Sequence, residues 1–146
     1  MIGLIACIAA MLTGCSGTQA PTFKVLEATI KDRTPQGAVL LFVLEADNPN
    51  GDALPLRDVS YTVSLNGKQI FSGTRSAEVV LRRFGRQQFT LPAAYALAAD
   101  QLAPDGAAYA ISGSLVYIAP GALAETLFDQ EIIQPSADFS GEGTLK

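Results

Sequence analysis

The chain has 146 residues, of which 49% are hydrophobic, and it carries a net charge of −4 at pH 7. This apolar content excludes a disordered polar chain, and an acidic domain is a poor partner for nucleic acid. We therefore expect a single folded domain that has no nucleic-acid partner.

The first 14 residues are uncharged and almost wholly apolar, and Cys15 follows Leu12-Thr13-Gly14 directly. The run has the length of a signal-peptide core and is too short for a membrane-spanning helix. The four residues resemble a bacterial lipobox. The resemblance implies that residues 1–14 are a lipoprotein signal peptide, and that residues 15–22 are a lipidated cysteine and its tether. An ordinary secretory signal, in which Cys15 is incidental, is the alternative.

This resemblance also implies a location. Several acyl chains on Cys15 would give a stable anchor, since one chain alone holds only marginally. Ser16 follows Cys15, and it is not the Asp that commonly retains lipoproteins at the inner membrane. We expect the bacterial cell envelope, with the periplasmic face of the outer membrane favoured over the inner membrane.

The residue types available restrict the chemistry. There is no histidine, and the two cysteines are Cys7, inside the predicted signal, and Cys15. This removes zinc sites built from Cys and His, and it removes Cys or His catalysis. Ser112 and Ser114 flank Gly113, but no neighbouring residue type would activate them. The sequence predicts no enzyme, no catalytic residue, no metal and no cofactor.

The mature part begins with a predicted strand hairpin. Residues 23–33 form the first strand, in which alternation places Leu26, Ala28 and Ile30 inward. Residues 38–47 form a central strand with one wholly apolar row, namely Ala38, Leu40, Phe42, Leu44 and Ala46. Asn48-Pro49-Asn50 then ends this strand, because Pro49 has no N–H and asparagines favour turns.

Later segments continue this alternation of strands and turns. The predicted strands are residues 58–66, 68–72, 77–83, 87–91, 107–119 and 137–145. Asn66-Gly67 predicts a type I′ hairpin, and residues 73–76 a turn. Residues 92–102 predict one or two helical turns, whereas residues 122–133 fit helix or strand, and a strand that begins late is favoured. The fold class is mostly β, an antiparallel immunoglobulin- or fibronectin-like β-sandwich with one or two short helical turns.

Five segments together resemble a known family. They are FVLEADNPN at 42–50, LPL at 54–56, VSYTVSLNG at 59–67, IFSG at 70–73 and FTLP at 89–92. In order and spacing they resemble the type-2 late-embryogenesis-abundant domain, also called the water-stress and hypersensitive-response domain. The resemblance covers about residues 23–92 and implies that residues 23–146 form such a domain. It implies a sandwich fold and a role in desiccation or stress tolerance, and it carries no agreed catalytic residue.

Three groups of residues are candidate sites. Asn48, Pro49 and Asn50 are the family-signature turn, which we interpret as structural. The second group, Arg82, Arg83 and Arg86, is a candidate edge for an anion or a partner, and a solvated strand edge is the alternative. The third group is three carboxylates around the turn that suit a Ca²⁺ ion, although turn chemistry is the favoured interpretation; they are Asp47, Asp52 and Asp58.

The sequence leaves three functions open. The first is a membrane-anchored, non-enzymatic lipoprotein that binds or protects in the cell envelope. The second is a carrier of lipid or another apolar ligand in the periplasm, with a groove lined by Leu40, Phe42, Tyr61 and Phe89. The third is an accessory subunit of an envelope complex that uses the Arg82, Arg83 and Arg86 edge. The predicted partners are the membrane, through lipid on Cys15, and an envelope protein or lipid.

Overall fold

The computed structural model describes residues 17–96 and 105–146. These residues form an antiparallel sandwich of two sheets with one short helix, which confirms the predicted fold class. The elements are β1 (Thr22–Thr34), β2 (Gly37–Asn48), β3 (Leu54–Leu65), β4 (Lys68–Ser76), β5 (Val80–Leu81), β6 (Gly85–Ala96), β7 (Ala108–Tyr117), α1 (Ala122–Asp129) and β8 (Ser136–Thr144).

The first sheet has the strand order β1-β2-β6, and the second has the order β4-β3-β7-β8 with β5 paired to the start of β3. The last residue of the chain joins the two sheets along one side. The Lys146 amide donates to the Ala28 carbonyl at 3.0 Å, and the Ile30 amide donates to the Lys146 carbonyl at 3.3 Å. The C-terminus therefore closes the gap between β1 and β8.

Strand β2 lies at the centre of the first sheet, as its sequence predicts. Its inward row is buried along its whole length, and the row that contains Val39 is half-buried. Phe42 is fully buried and contacts the Tyr109 ring edge-to-face, with ring centroids 5.4 Å apart. Burial of this row against the second sheet contributes apolar stabilisation at the centre of the core.

Tyr61 links the two sheets through its hydroxyl group. It lies on β3, and its hydroxyl donates to the carbonyl oxygen of Pro92 on β6. The Phe71 ring covers it, with ring centroids 4.9 Å apart. Burial raises the pKa of Tyr61 above its ordinary value of 10.0, although the nearby Arg75 offsets part of this. The buried phenol is therefore held in its neutral form.

The tyrosines predict a loss of stability in alkaline solution. Burial raises the pKa of Tyr61, Tyr109 and Tyr117, so the folded chain keeps protons that the unfolded chain releases. Their contribution is therefore complete below the ordinary value of 10.0 and is lost as pH rises through the raised values. We expect the free energy of unfolding, measured in urea, to fall steeply above about pH 10, and to fall less steeply in Tyr61→Phe. Equal slopes would contradict this assignment.

The first strand departs from the predicted alternation. The register of β1 against β2 shifts between Val25 and Glu27 and leaves Leu26 at a bulge. Leu26 is 39% exposed, so the prediction that it faces inward is wrong, whereas Ala28 is buried as predicted. An extra residue in one strand exchanges the two faces, which simple alternation does not anticipate.

Two assignments between helix and strand are wrong. Residues 122–129 are helix α1, in which the Thr126 hydroxyl bonds the Ala122 carbonyl at 2.8 Å. Residues 92–96, predicted as helical, continue β6. Pro92 is tolerated there because β6 is an edge strand with a partner on one side only. Its missing N–H therefore costs no hydrogen bond to a second neighbouring strand. The remaining part of that prediction, residues 97–102, lies outside the described residues.

Strands β4 and β5 also differ from their predicted bounds. The predicted turn at residues 73–76 is instead the end of β4, and the predicted strand at 77–83 shortens to Val80–Leu81. Glu78 interrupts the latter with a φ of 50°. By contrast, the predicted Asn66-Gly67 hairpin is confirmed, with positive φ at both residues (47° and 81°), as a type I′ turn requires.

Candidate functional site

Asn48 is a buried junction at the end of β2. Its side chain is fully buried and donates to two backbone carbonyls, at 2.8 Å to Asp52 and 3.1 Å to Arg82. Its carbonyl oxygen accepts from both nitrogens of Asn50, the amide at 3.0 Å and Nδ2 at 2.8 Å. One side chain thus joins the signature turn to the link between β5 and β6.

Asn50 extends this junction to the start of the described chain. Its Nδ2 donates to the Gln19 carbonyl and its Oδ1 accepts from the Gln19 amide, both at 2.8 Å. Its own carbonyl accepts from the Phe84 amide at 2.9 Å. Pro21 is buried just after Gln19. The chain therefore joins the fold at the signature turn, and we call this end of the sandwich (Gln19, Asn48, Asn50 and residues 82–84) the N-terminal pole.

Residues 82–84 form an exposed turn between β5 and β6, which we call the arginine turn. Arg82 and Arg83 are exposed, and within the described residues neither side chain makes an ion pair. Arg86 lies on β6 and pairs with Asp47, with Nε 3.1 Å from Oδ2. The three arginines that the sequence grouped are therefore one paired residue on a strand and two unpaired residues on a turn.

Phe84 at the end of the arginine turn is unusual in two ways. It is 74% exposed although it is a large apolar residue. Its φ is 47°, in the left-handed region that glycine and asparagine normally occupy. Its ring lies over Gly51, where an added Cβ would come within 3.3 Å of Phe84 Cζ. The backbone thus accepts strain at a position that presents an aromatic ring to solvent.

The three aspartates considered for Ca²⁺ have separate surroundings. Asp47 pairs with Arg86, and the backbone carbonyl of Asp52 accepts from Asn48. Asp58 is an exposed residue of β3. Across residues 17–96 and 105–146, no three His, Cys, Asp or Glu side chains lie close enough together to hold a metal ion.

The side chains named for an apolar groove lie in the packed interior. Leu40 and Phe42 are fully buried, Tyr61 is held by Pro92, and Phe89 contacts the Phe23 ring edge-to-face with centroids 6.2 Å apart. The space between the sheets at these positions is therefore filled by other side chains rather than open to a ligand.

The serines of β7 lie on the outer face of the second sheet. Ser112 is paired with Thr62 of β3 and Ser140 of β8, and Ser114 is paired with Ser60. The same face continues into β4, where the Ser60 and Thr74 hydroxyls are 2.7 Å apart. On its other side Ser114 is paired with Asp138 of β8. The sequence has no histidine to act as the general base between that carboxylate and a serine hydroxyl.

Sequence reasoning misses two members of the N-terminal pole, Gln19 and Phe84. The sequence assigns Gln19 to a tether, yet its backbone is bonded to a residue 31 positions away. It assigns Phe84 to a tight link without a role of its own. The sequence signal for Phe84 is its position in a short turn, between two arginines and a glycine. A phenylalanine in such a turn is expected to be exposed rather than packed in the core.

Among the helices of the described residues, none combines the length and apolar content that crossing a membrane requires. The prediction for Cys15 falls outside the described residues, and it stays a prediction.

Comparison with known proteins places the chain among stress-related proteins. A family model described as late embryogenesis abundant protein matches residues 43–132. The solution structure of AT1g01470 from Arabidopsis thaliana is similar, with a TM-score of 0.65 at 18% identity, over 97% of this chain and 89% of that chain. A putative late embryogenesis abundant protein, At2g46140.1, has a TM-score of 0.60 at 21% identity over 86% and 71% of the two chains.

A more distant fold relative comes from an archaeon. A crystal structure of a protein from Archaeoglobus fulgidus has a TM-score of 0.54 at 9% identity, over 86% of this chain and 98% of that chain. No curated protein sequence matches. At these identities the structures establish the fold alone, whereas the family match spans more than half of the chain.

Proposed function

This chain belongs to the late embryogenesis abundant protein family, and from that premise we propose that it is a lipid-anchored, non-enzymatic protein of the bacterial envelope that protects the cell during loss of water. The family is generally non-enzymatic and is associated with stress and desiccation. The membrane anchor, the envelope location and the water-stress subtype of the family are the parts that we add.

The observation that carries this proposal is the filled interior of a sandwich of this family. The side chains between the sheets are buried against one another, with Phe42 and Leu40 fully buried. Within the described residues this packing leaves the surface of the sandwich available for contact, which suits protection or binding. It favours this function over the carrier of an apolar ligand.

Lipid on Cys15 would hold that surface at a membrane. Leu12-Thr13-Gly14-Cys15 supports processing before Cys15, and Ser16 favours the outer membrane. The partners in this proposal are the membrane itself and an envelope protein or lipid in contact with the domain. Nucleic acid is not a partner in this proposal, because the chain is acidic overall.

Replacement of Cys15 tests the anchor. We expect the natural chain, expressed in bacteria, to incorporate labelled palmitate and to sediment with membranes, and we expect Cys15→Ser to lose both properties. Cys7→Ala is the matched control, because Cys7 lies in the predicted signal peptide and should leave labelling unchanged. A natural chain that takes up no labelled palmitate, together with a Cys15→Ser chain that still sediments with membranes, would show that the anchor is wrong.

Drying tests the protective role separately from the anchor. We expect a strain that lacks the gene to survive desiccation less well than its parent, and the natural chain to restore survival. Cys15→Ser, produced at the same level, should restore less, since its domain would no longer be held at the membrane. If the deletion strain survives as well as its parent, the protective role is refuted even when Cys15 carries lipid.

A further inference from the structure

We propose that the arginine turn docks on the anionic headgroups of the membrane that holds Cys15, with the Phe84 ring in the interfacial layer. This inference rests on the lipid anchor proposed above. The docking surface is residues 82–84, namely Arg82, Arg83 and Phe84, at the N-terminal pole.

The first argument is the length of chain between the lipid and the fold. Gln19 is bonded through both backbone groups to the side chain of Asn50, so the chain is fixed to the sandwich from Gln19 onward. Gln19 is the fourth residue after Cys15, and an extended chain covers at most about 14 Å over that distance. The N-terminal pole therefore lies against the headgroup layer whenever Cys15 is lipidated.

The second argument is the position of the arginine turn within that pole. The Asn50 carbonyl accepts from the Phe84 amide, so the residue that binds Gln19 also binds the tip of the turn. Arg82 is tied to the same junction, because its carbonyl accepts from Asn48 at 3.1 Å. Gln19, where the lipid-bearing segment joins the fold, and Phe84 of the arginine turn therefore both bond to Asn50 and lie close together.

The third argument is the chemistry of the turn. Two arginines that make no ion pair with any described residue precede an exposed aromatic ring. Arginine pairs with phosphate through its planar fork of donors. An aromatic ring beside basic residues suits the boundary between headgroups and acyl chains. The backbone of Phe84 is strained, because its φ of 47° is in the left-handed region. Packing of the ring in the sandwich does not offset this strain, because the ring is 74% exposed.

A neighbouring part of the pole carries carboxylates, which oppose contact with anionic lipid there. Helix α1 carries Glu125 and Asp129, which line a surface depression together with Asp52. Leu123 is exposed on the same helix. Carboxylates are repelled by anionic lipid, so we expect the sandwich to tilt with the arginine turn toward the membrane and α1 away from it.

A single introduced tryptophan tests the docking, because the natural sequence contains none. Phe84→Trp is purified as the lipidated chain and reconstituted into vesicles of phosphatidylcholine with or without phosphatidylglycerol. With phosphatidylglycerol, we expect the tryptophan emission of Phe84→Trp to shift to the blue and to be quenched by brominated lipid. Gln36→Trp, in the exposed turn between β1 and β2 at the opposite end, is the matched control and should show neither effect.

Removal of the two charges tests the role of the arginines. Each basic residue near an anionic surface contributes about fivefold to binding, so Arg82→Gln with Arg83→Gln should lower the ratio of docked to undocked turn about 30-fold. Lys31→Gln with Lys68→Gln removes the same charge from exposed positions elsewhere and should leave the ratio unchanged. An equal loss in both pairs would refute a specific surface.

The outcomes separate this inference from the proposed anchor. A lipidated, vesicle-bound Phe84→Trp chain whose tryptophan stays exposed to water overturns the docking and leaves the anchor intact. If cells do not lipidate Cys15, the anchor fails. The Phe84→Trp chain from Cys15 onward is then coupled through that thiol to a maleimide-bearing lipid, and its tryptophan emission decides whether the turn docks at that distance.

Discussion

Replacement of Asn48 by alanine is expected to lower the free energy of unfolding by about 3 kcal/mol, since each hydrogen bond contributes about 1 kcal/mol and unpaired buried groups add to the loss. The substitution removes two bonds to the carbonyls of Asp52 and Arg82 and two from the nitrogens of Asn50. Asn48 is fully buried, so water does not replace those partners. Urea unfolding of Cys15→Ser chains measures the difference.

Two further variants identify the cause of that loss. Asn50→Ala removes a half-buried side chain whose backbone partners reach water, so we expect less than half the effect of Asn48→Ala. Asn48→Asp keeps the acceptors but buries a carboxylate beside two carbonyls, which raises its pKa. Its stability should therefore recover as pH falls and the carboxyl becomes a donor. A cost below about 1 kcal/mol for Asn48→Ala would show that the junction is dispensable.

The strands are predictable where one face of the sheet is buried and the alternation is unbroken. In β2 the apolar row that the sequence marks is the row that the second sheet covers. The Asn66-Gly67 turn is equally predictable, because its conformation is favoured by those two residues alone. Local chemistry and tertiary packing agree at both places.

The wrong assignments fall where local preference and tertiary context disagree. Residues 92–96 are rich in alanine, yet pairing with β2 holds them extended, with Pro92 opposite Leu41. Residues 122–129 fit helix or strand by their sequence, and they form a helix because they join neither sheet of the described residues. Leu26 is misplaced by simple alternation because a bulge is a property of a strand pair rather than of one strand.

The candidate site is predictable in its parts and not in its arrangement. The sequence marks Asn48, Asn50 and the arginines as unusual, but the bonds of Asn48 and Asn50 connect residues more than 30 positions apart. The hydrophobic periodicity of a strand does not predict hydrogen bonds between such distant residues. The meeting of Gln19, Asn50 and Phe84 depends on three strand ends that come together at one pole, and only the assembled fold contains that information.

Replacement of Phe42 by alanine is expected to have the largest cost, about 3–5 kcal/mol in the free energy of unfolding, as for other buried aromatic residues. The side chain is fully buried between the sheets and contacts the Tyr109 ring. Its removal leaves a cavity that surrounding strands do not collapse to fill. Urea unfolding at constant m-value measures this cost.

Phe84→Ala is the matched control, because it makes the same deletion at a ring that is 74% exposed. We expect it to change the free energy of unfolding by less than about 0.5 kcal/mol. The difference between the two phenylalanines distinguishes the proposed functions. A carrier would line an open groove with Phe42, and truncation would then cost little and alter ligand binding. A large loss of unfolding free energy in Phe42→Ala, with none in Phe84→Ala, means that the interior stabilises the fold. The function would then depend on the surface, and the arginine turn is the first part of the surface to test.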